Sequence, residues 1–292
     1  MAAMNYSLII PHKNSPDLLQ RCIASIPQRE DIQIIVVDDN SDEDKFPRNV
    51  RADVDLISIS KQDSKGAGHA RNVGMKKAVG RWVLFADADD FYSDGFMDIL
   101  DGYVDSSYDV VYFNFMLEVG CLLIEEDKAL WAKTQNGISQ RDADYVRYRF
   151  HVPWNKMISK NFIREHHICF EETIIGNDVQ FSLMLGFCLE KYEIIDKPLY
   201  HYYTNNQSLS FGKRSIDKLM VIIEGWYKVN AFNVFIQHQE WNTNPYIGVM
   251  FMMWRDKKRA IPIFCRYLLK LPDILKNRNR YVELLADAAK KQ

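Results

Sequence analysis

Hydrophobic and polar positions follow two alternating periods along the first half of the chain. Short apolar runs rich in β-branched residues predict buried strands, and apolar positions at helical spacing predict helices with one buried face. Strands are predicted at residues 7–10, 32–37, 54–59, 82–85 and 108–113. Helices are predicted at residues 15–26 and 66–79. Because strands alternate with helices and are continuously apolar, the pattern predicts an α/β fold with a mainly parallel sheet flanked by helices.

The second half of the chain has a less regular pattern. A helix is predicted at residues 178–189, and an aromatic run follows at residues 200–203. From Ser215 onward the pattern is helical and rich in aromatic residues. We therefore expect a boundary near residue 212 and a helical C-terminal appendage at residues 213–292.

Three prolines are expected to divide this C-terminal region. Pro245 is expected to separate two helices, and Pro262 and Pro272 are expected to interrupt the last helical stretch. The reason is that proline lacks the backbone N–H that a helix interior uses.

Composition and charge exclude several classes of protein. The chain has 292 residues, of which 47% are hydrophobic and 26% charged, so it is neither collagen-like nor disordered. With 37 basic and 39 acidic residues, the net charge of -2 gives no reason to expect a nucleic-acid partner. The charge is uneven, because residues 254–292 hold 11 basic and 4 acidic side chains, a local charge of +7.

The cysteines and the apolar segments indicate the compartment. The five cysteines are odd in number and form no Cys-x-x-Cys pair, which favours reduced thiols. The amino terminus lacks the basic start and apolar run of a signal peptide. No stretch approaches the ~20 apolar residues that a spanning helix needs. We therefore predict a soluble, cytoplasmic protein.

Acidic clusters follow two of the predicted strands. Asp38 and Asp39 come directly after the second strand, and Asp87 and Asp89 after the fourth. In parallel sheets, ligands bind beyond the carboxyl ends of the strands. Carboxylates suit Mg²⁺ or Mn²⁺, which keep open positions for substrate phosphates. The same clusters are also typical of turns and helix caps, because Asp favours both, so the residues alone leave the two interpretations open.

A glycine-rich segment lies between these clusters. Its sequence from Gly66 is Gly-Ala-Gly-His-Ala-Arg-Asn-Val-Gly, which offers small residues where backbone can approach a ligand. Arg71 within it is a candidate phosphate contact. The segment lacks the Lys-Ser/Thr of a P-loop, and its glycines do not fit the dinucleotide fingerprint.

Four segments in order resemble family 2 glycosyltransferases of the GT-A fold. They are Pro11-x-x-Asn, Val-Val-Asp-Asp39-x-Ser, Gly66-x-x-x-Ala-Arg-Asn-x-Gly and Phe-x-Asp87-x-Asp-Asp, and the match covers residues 6–92. Weaker matches reach about residue 210. The resemblance implies a Rossmann-like GT-A domain at residues 1–212. Within it, residues 1–115 are expected to form the nucleotide-sugar-binding half and residues 116–212 the acceptor half.

The resemblance also implies a donor site. The donor-binding residues are expected to be Pro11, Asp39, Gly66, Arg71, Asp87, Ala88 and Ser208. Asp39 is expected to bond the uracil ring, Pro11 to line the base site and Asp87 to contact the ribose. Asp89, in the Asp-x-Asp motif, is expected to ligate Mn²⁺ or Mg²⁺ at the donor diphosphate.

One part of the donor site departs from the family pattern. The family's Arg-x-x-x-x-Ser clamp on the diphosphate is present here as a segment from Tyr203 to Ser208, so the arginine is missing. Lys213 or Arg214 is a candidate substitute. Lys13 stands where the family often has Tyr.

The acceptor side is assigned by the same resemblance. Asp178 matches the catalytic base, although Asn177 precedes it where an acidic residue is usual. Trp154 matches the aromatic residue beside the acceptor sugar, where a flat ring can pack on a pyranose. By chemistry alone, Asp178 fits equally a carboxylate that interacts with the dipole of its own helix.

These assignments imply an inverting, metal-dependent hexosyl- or N-acetylhexosaminyltransferase. The donor is expected to be a UDP-sugar and the acceptor a glycan or a lipid-linked glycan, in polysaccharide or glycolipid assembly. The alternative is a non-catalytic or degenerate nucleotide-sugar-binding protein. The basic C-terminal region is expected either to present a solvated face or to contact anionic membrane at its inner face.

Overall fold

Eight strands form one sheet in the computed structural model, which describes residues 4–119, 143–204 and 215–290. The strands are β1 (Tyr6–His12), β2 (Ile32–Asp38), β3 (Val54–Ser58), β4 (Trp82–Phe85), β5 (Phe91–Tyr92), β6 (Val110–Val119), β7 (Lys156–Ser159) and β8 (Tyr192–Thr204). The described helices are α1 (Pro16–Ala24), α2 (Ala67–Lys77), α3 (Phe96–Leu100), α4 (Ala143–Tyr148), α5 (Lys160–Glu165), α6 (Asp178–Cys188), α7 (Ile216–Phe235), α8 (Pro245–Arg255) and α9 (Ala260–Ala289). The predicted strands and helices are therefore confirmed, with small shifts at their ends.

The sheet is parallel in its first half and mixed as a whole. Its strand order is β3-β2-β1-β4-β7-β6-β8-β5. β1 runs parallel to β2 and β4, and β2 runs parallel to β3. β7 is antiparallel to both β4 and β6, and β5 is antiparallel to β8. The carboxyl ends of β1, β2 and β4 therefore meet at one edge.

Continuous burial explains why these strands have no polar face. All seven residues of β1 and all four of β4 are buried. In the register of β1 and β2, Pro11 lies opposite Val37 and His12 opposite Asp38, so the two strands end level with each other. The backbone N–H of Asp39 then donates to the carbonyl of His12 at 2.9 Å. This pairing holds Asp39 at the sheet edge.

The three prolines of the C-terminal region differ in their effect on the helices. Pro245 begins α8, which confirms the predicted separation of two helices, because a first-turn proline loses no helical hydrogen bond. Pro262 lies in the first turn of α9. The prediction that Pro272 interrupts the helix was wrong, since α9 continues through it. Tyr267 and Ile274, on either side of Pro272, are both buried, and this packing offsets the missing hydrogen bond.

The C-terminal helices have a hydrophobic cluster of their own. It joins apolar residues of α7, α8 and α9: Leu219, Met220, Ile223, Tyr227, Val249, Ile263, Tyr267 and Ile274. Tyr281 and Leu285, near the end of α9, are buried instead against the core of the sheet. Within residues 4–119, 143–204 and 215–290, no helix combines the length and apolar character that membrane crossing requires. The boundary near residue 212 stays a prediction.

Candidate active site

Several of the predicted site residues meet at the carboxyl edge of β2 and β4. Asp39 follows β2 and bonds Gly66, which stands just before α2. Arg71, on α2, bonds both Asp87 after β4 and Asn177 at the start of α6. The turn after β2, the glycine-rich segment, the end of β4 and the first turn of α6 therefore form one connected site.

Asp39 has one buried oxygen that lacks a hydrogen-bond partner. The residue is 3% exposed, and its Oδ2 accepts the backbone N–H of Gly66 at 3.0 Å. Lys13 Nζ lies 3.8 Å from Oδ2 and donates to the backbone carbonyl of Asp39 at 3.0 Å. Oδ1 is buried and has no partner within the part of the chain that the structure describes. A ligand N–H would satisfy this oxygen, since a buried acceptor without a partner is costly.

Asp38, next to Asp39, organises the turn rather than the site. Its Oδ2 accepts the backbone N–H of Ser41 at 3.0 Å, which makes an Asx turn. Its Oδ1 is bonded by the hydroxyl of Ser41 and by Nδ1 of His12 at 2.8 Å. Because the backbone N–H of Ser15 donates to Nε2 of His12, Nδ1 carries the proton. Of the two interpretations that the sequence left open, Asp38 therefore fits a turn residue, and Asp39 fits a ligand-binding residue.

Close packing explains two of the glycines after Asp39. Gly66 has φ of 92°, the left-handed region that favours glycine, and it presents its N–H to Asp39. A Cβ on Gly68 would lie 2.1 Å from the carbonyl of Glu171, so no larger residue fits there. The segment thus packs against the loop that leads into α6.

Arg71 is a buried bridge between two elements of the site. It is 6% exposed, and its Nη1 donates to Oδ1 of Asn177 at 2.8 Å. Its Nη2 is bonded to Oδ1 of Asp87. Asn177, at the position where an acidic residue is usual, thus serves as a neutral acceptor for the guanidinium. Nε of Arg71 is buried and has no partner in the described part of the chain, which leaves one donor for a ligand.

Asp90 is a site residue that the sequence reasoning missed. It is fully buried, and its two oxygens accept the hydroxyl of Tyr200 at 2.8 Å and the backbone N–H of Tyr203 at 2.7 Å. The Tyr200 hydroxyl in turn accepts the backbone N–H of Asp87 at 2.9 Å. Burial, with Asp87 and Asp89 nearby, raises the pKa of Asp90 well above its ordinary value. The signal was the third carboxylate of the motif together with the tyrosine-rich run of β8.

The carboxylates that follow β4 are too few to hold a cation by themselves, so substrate phosphates would have to supply further ligands. Among residues 4–119, 143–204 and 215–290, no group of three or more His, Cys, Asp or Glu side chains could hold a metal ion. Asp87 is bonded to Arg71 and Asp90 is bonded to β8. Asp89 is half-buried, and Ala88 is buried. Mg²⁺ sites that use one or two carboxylates plus substrate phosphates match this donor set.

Asp178 begins α6 and is half-buried. Burial raises the pKa of its carboxyl group above the ordinary value, and Asp87 adds to this. Arg71 and Lys156 act in the opposite direction. A carboxylate with a raised pKa is a better proton acceptor near neutral pH, so this environment suits a general base.

The structure gives Trp154 a position that does not support the predicted acceptor contact. The side chain is 1% exposed, and its ring stacks on Tyr200 with centroids 4.8 Å apart and planes at 10°. Tyr202 also stacks on it at 5.6 Å. The ring therefore packs in the core beside β8, and it has no surface to offer to a sugar.

Lys156, close to Trp154 in the chain, is buried as well. It is 1% exposed, and its Nζ donates to the carbonyls of Phe150 and Val152 and to Oδ1 of Asn155. Burial lowers the pKa of Lys156 to about 7, although Asp178 acts in the opposite direction. Lys156 is therefore a buried amine whose charge is coupled to that of Asp178, a role that its sequence position did not reveal.

Arg21 is a second residue that the sequence reasoning missed. Its Nη2 donates to the backbone carbonyl of Asp89 at 2.6 Å. Its guanidinium lies 4.2 Å from the ring centroid of Tyr203 and 4.8 Å from that of Phe91. A positive charge from α1 thus stands over Tyr203, the position where the family pattern has arginine. Nothing in the local sequence of α1 could have indicated this. Ser208, Lys213 and Arg214 lie outside the described residues.

Comparison with known proteins assigns the family. The model for glycosyl transferase family 2 matches residues 7–166, more than half of the chain. The chain therefore belongs to that family, as its four segments predicted.

Curated relatives and solved structures are consistent with this assignment. The GalNAc(5)-diNAcBac-PP-undecaprenol beta-1,3-glucosyltransferase of Campylobacter jejuni is 27% identical over 65% of this chain and 62% of its own length. The poly(ribitol-phosphate) beta-N-acetylglucosaminyltransferase TarS of Staphylococcus aureus is 22% identical over 70% of this chain and 36% of its own length. The crystal structure of S. aureus TarS 1–349 in complex with UDP-GlcNAc superposes with a TM-score of 0.63 at 16% identity, covering 99% of this chain and 93% of that one. This likeness confirms the GT-A fold, while the chain spans 62% of the length of the first curated relatives it matches.

Proposed function

We propose that this chain is an inverting glycosyltransferase that moves a hexosyl or N-acetylhexosaminyl group from a UDP-sugar to a hydroxyl of a glycan or lipid-linked glycan. The observation that carries the proposal is the buried Oδ1 of Asp39 at the sheet edge, which has no partner in the described ranges of the chain. It lies on the site that also holds Asp87 and Asp178. Family membership and the UDP and UDP-GlcNAc complexes of TarS support the choice of donor.

The donor is held by its nucleoside. Oδ1 of Asp39 accepts the imide N–H of uracil, and Pro11 lines the base from the end of β1. Gly66 and Ala88 let the backbone approach, and Asp87 contacts the ribose. Because Asp39 is fixed by the Gly66 N–H, its free oxygen is oriented before the donor arrives.

The transfer itself is a single displacement. Asp178 takes the proton of the acceptor hydroxyl as that oxygen forms a bond to the anomeric carbon, on the face opposite the nucleotide. The bond from the anomeric carbon to the diphosphate oxygen breaks, and its electron pair leaves with UDP. General-base catalysis of this kind contributes roughly 10²- to 10⁴-fold.

The leaving diphosphate needs positive charge around it. Asp89 is the residue that would hold Mn²⁺ or Mg²⁺, and such an ion supplies Lewis-acid stabilisation to the departing oxygens. The chain's own contribution is Arg21, whose guanidinium is bonded to the Asp89 carbonyl. Arg21 takes the place of the clamp arginine that Tyr203 replaces.

A donor panel tests the proposal. The full chain is mixed with UDP-glucose, UDP-galactose, UDP-GlcNAc or UDP-GalNAc, with Mn²⁺, Mg²⁺ or EDTA, and both melting temperature and UDP release are measured. Ligands that bind the native state raise the melting temperature. Stabilisation with UDP release supports the transferase. Stabilisation without release, even with Mn²⁺ present, indicates the alternative of a non-catalytic binder, and no stabilisation by any donor contradicts both.

The surface of the C-terminal region suits contact with a membrane. We propose that it contacts the inner face of an anionic membrane, which brings a lipid-linked acceptor to the site. The exposed face of α8 carries large apolar side chains: Tyr246, Ile247, Met250, Phe251 and Trp254. Ile261, Phe264, Leu268 and Leu269 are exposed on α9. Basic side chains at residues 255–259 lie between these two apolar groups, and anionic lipid attracts such residues.

A further inference from the structure

A cavity of about 390 Å³ lies between α6 and α7, and we name it the α6–α7 cavity. Its walls include Gly176, Val179 and Gln180, the immediate neighbours of Asp178 in the chain, and Gly225 on α7. Its volume is within the range of ~300–1,000 Å³ that small-ligand sites occupy. Neither Asp178 nor the donor residues described above are among the residues that line it, so it is a second space, separated from the donor site by the first turns of α6.

Gly225 keeps the α7 side of this cavity open. A Cβ on Gly225 would meet no heavy atom within 4 Å, so close packing does not require a glycine there. In a helix interior, glycine is less favourable than alanine. The helix therefore carries this cost at a position where a side chain would project into the cavity.

One residue of the cavity wall has a buried polar group that lacks a partner among the described residues. Tyr281 of α9 is 3% exposed, and its hydroxyl is buried without a hydrogen-bond partner in the described part of the chain. Lys228 lies in the same wall and is paired with Glu171 and with Glu224, the latter at 2.9 Å. A ligand that carries hydroxyl groups would satisfy Tyr281 and exchange hydrogen bonds with the charged trio.

Flat aromatic surfaces complete the walls. Trp226 and Trp241 are half-buried and line the cavity. One face of the Trp241 ring is covered by His238, with ring centroids 3.9 Å apart. An alkyl chain would cover the indoles and leave the Tyr281 hydroxyl unsatisfied. A pyranose has C–H groups for an aromatic face and hydroxyls for the polar wall, so it meets both demands.

We propose that the α6–α7 cavity binds a sugar residue of the acceptor glycan, next to the residue whose hydroxyl reaches Asp178. This inference rests on the proposed function, because it assigns the acceptor side of the same reaction. It shifts acceptor recognition from Trp154, which is covered, to the C-terminal helices. The C-terminal region thus takes part in substrate choice and does more than pack on the sheet.

The test uses a glycan array probed with the full-length chain in the presence of UDP. Gly225→Phe fills the cavity from an unobstructed position, and Gly225→Ala removes the glycine without filling the cavity. Tyr281→Phe deletes only the unpartnered hydroxyl. We expect glycans retained by the wild-type chain to lose at least 10-fold in affinity with Gly225→Phe and several-fold with Tyr281→Phe. Gly225→Ala is expected to bind as the wild type does and to melt at a higher temperature.

UDP affinity, measured by calorimetry on the same samples, separates the two proposals. It is expected to be equal in all four proteins, because the donor site is elsewhere. Unchanged glycan binding by Gly225→Phe overturns the cavity assignment, and so does a wild-type chain that binds UDP but retains no glycan. A wild-type chain that binds no UDP contradicts the proposed function, while the effect of Gly225→Phe on glycan binding still reports on the cavity.

Discussion

At the scale of single residues, the Oδ1 atom of Asp39 is the most specific feature of the site. It is buried and has no partner among the described residues, while its sister oxygen is fixed by Gly66. Hydrogen bonds to charged groups contribute about 1.5–3 kcal/mol, so Asp39→Asn is expected to weaken UDP affinity roughly 10- to 100-fold. Titration calorimetry with UDP measures this. Asp44→Asn, on an exposed turn after β2, is the matched control, and equal affinities in the two variants would rule out base recognition by Asp39.

Asp178 is expected to act on the acceptor and not on the nucleotide. Asp178→Asn should lower transfer roughly 10²- to 10⁴-fold while UDP affinity stays unchanged. The base must be ionised, and burial raises its pKa, so kcat/KM is expected to fall with decreasing pH through a value above the ordinary ~3.9 of Asp. A pH profile of wild-type transfer measures this acid limb. Full turnover by Asp178→Asn, or an acid limb at or below the ordinary Asp value, contradicts the assignment.

A variant of Arg21 tests whether this residue stabilises the leaving diphosphate in place of the family arginine that Tyr203 replaces. Arg21→Gln removes the charge beside Asp89, and we expect kcat to fall at least 10-fold, since the charge on departing UDP is then less stabilised. The measurement is steady-state UDP release with varied donor. Arg48→Gln, which removes a largely exposed arginine beyond β2, is the control. If the two variants have the same kcat, Arg21 has only a packing role on Tyr203.

At the scale of elements, the site depends on the attachment of β4 to β8. The Tyr200 hydroxyl joins the Asp87 backbone to the buried carboxyl of Asp90. Tyr200→Phe leaves buried polar groups without their partner, which costs about 1–3 kcal/mol, so we expect a lower melting temperature and weaker donor binding. Tyr108→Phe is the control, because its hydroxyl bonds Glu193 in a more open part of the fold. Donor binding that survives a measurable loss of stability would show that this attachment does not organise the site.

The same scale shows how far the sequence could predict the structure. Strand positions and the acidic ends of β2 and β4 follow from local patterns, because buried strands are apolar and parallel strands end at a common edge. Arg21 could not be assigned, since its role depends on contacts with Asp89 and Tyr203 that are distant in the chain. Asp90 had a signal in the third carboxylate of its motif, but its bonds to Tyr200 and Tyr203 are known only from the structure. Trp154 was assigned to a sugar by the family resemblance, and nothing in its local sequence indicates that Tyr200 and Tyr202 of β8 cover it.

At the scale of the whole molecule, the apolar residues of α8 and α9 point in two directions. One side of each helix is buried in the cluster around Ile223 and Ile263. The other side exposes nine large hydrophobic residues between Tyr246 and Leu269, among them Trp254 at 67%. Contiguous apolar surface flanked by basic residues is typical of sites that bind a membrane or another protein.

Membrane binding and self-association of this exposed face lead to different expected results. Because each basic residue near an anionic surface contributes ~1 kcal/mol, the double variant Lys257→Gln/Lys258→Gln is expected to bind anionic vesicles about 30-fold more weakly. Ile247→Ser/Trp254→Ser is expected to abolish pelleting with them, whereas Val79→Ser, at an exposed apolar position outside the C-terminal helices, should have no effect. Vesicle sedimentation measures all three variants, and zwitterionic vesicles isolate the contribution of charge.

Self-association would give a different result. Light scattering would then detect a dimer that Ile247→Ser/Trp254→Ser dissociates, and the wild type would not bind vesicles. The lipid-linked acceptor would then have to reach Asp178 without a membrane contact of α8 and α9.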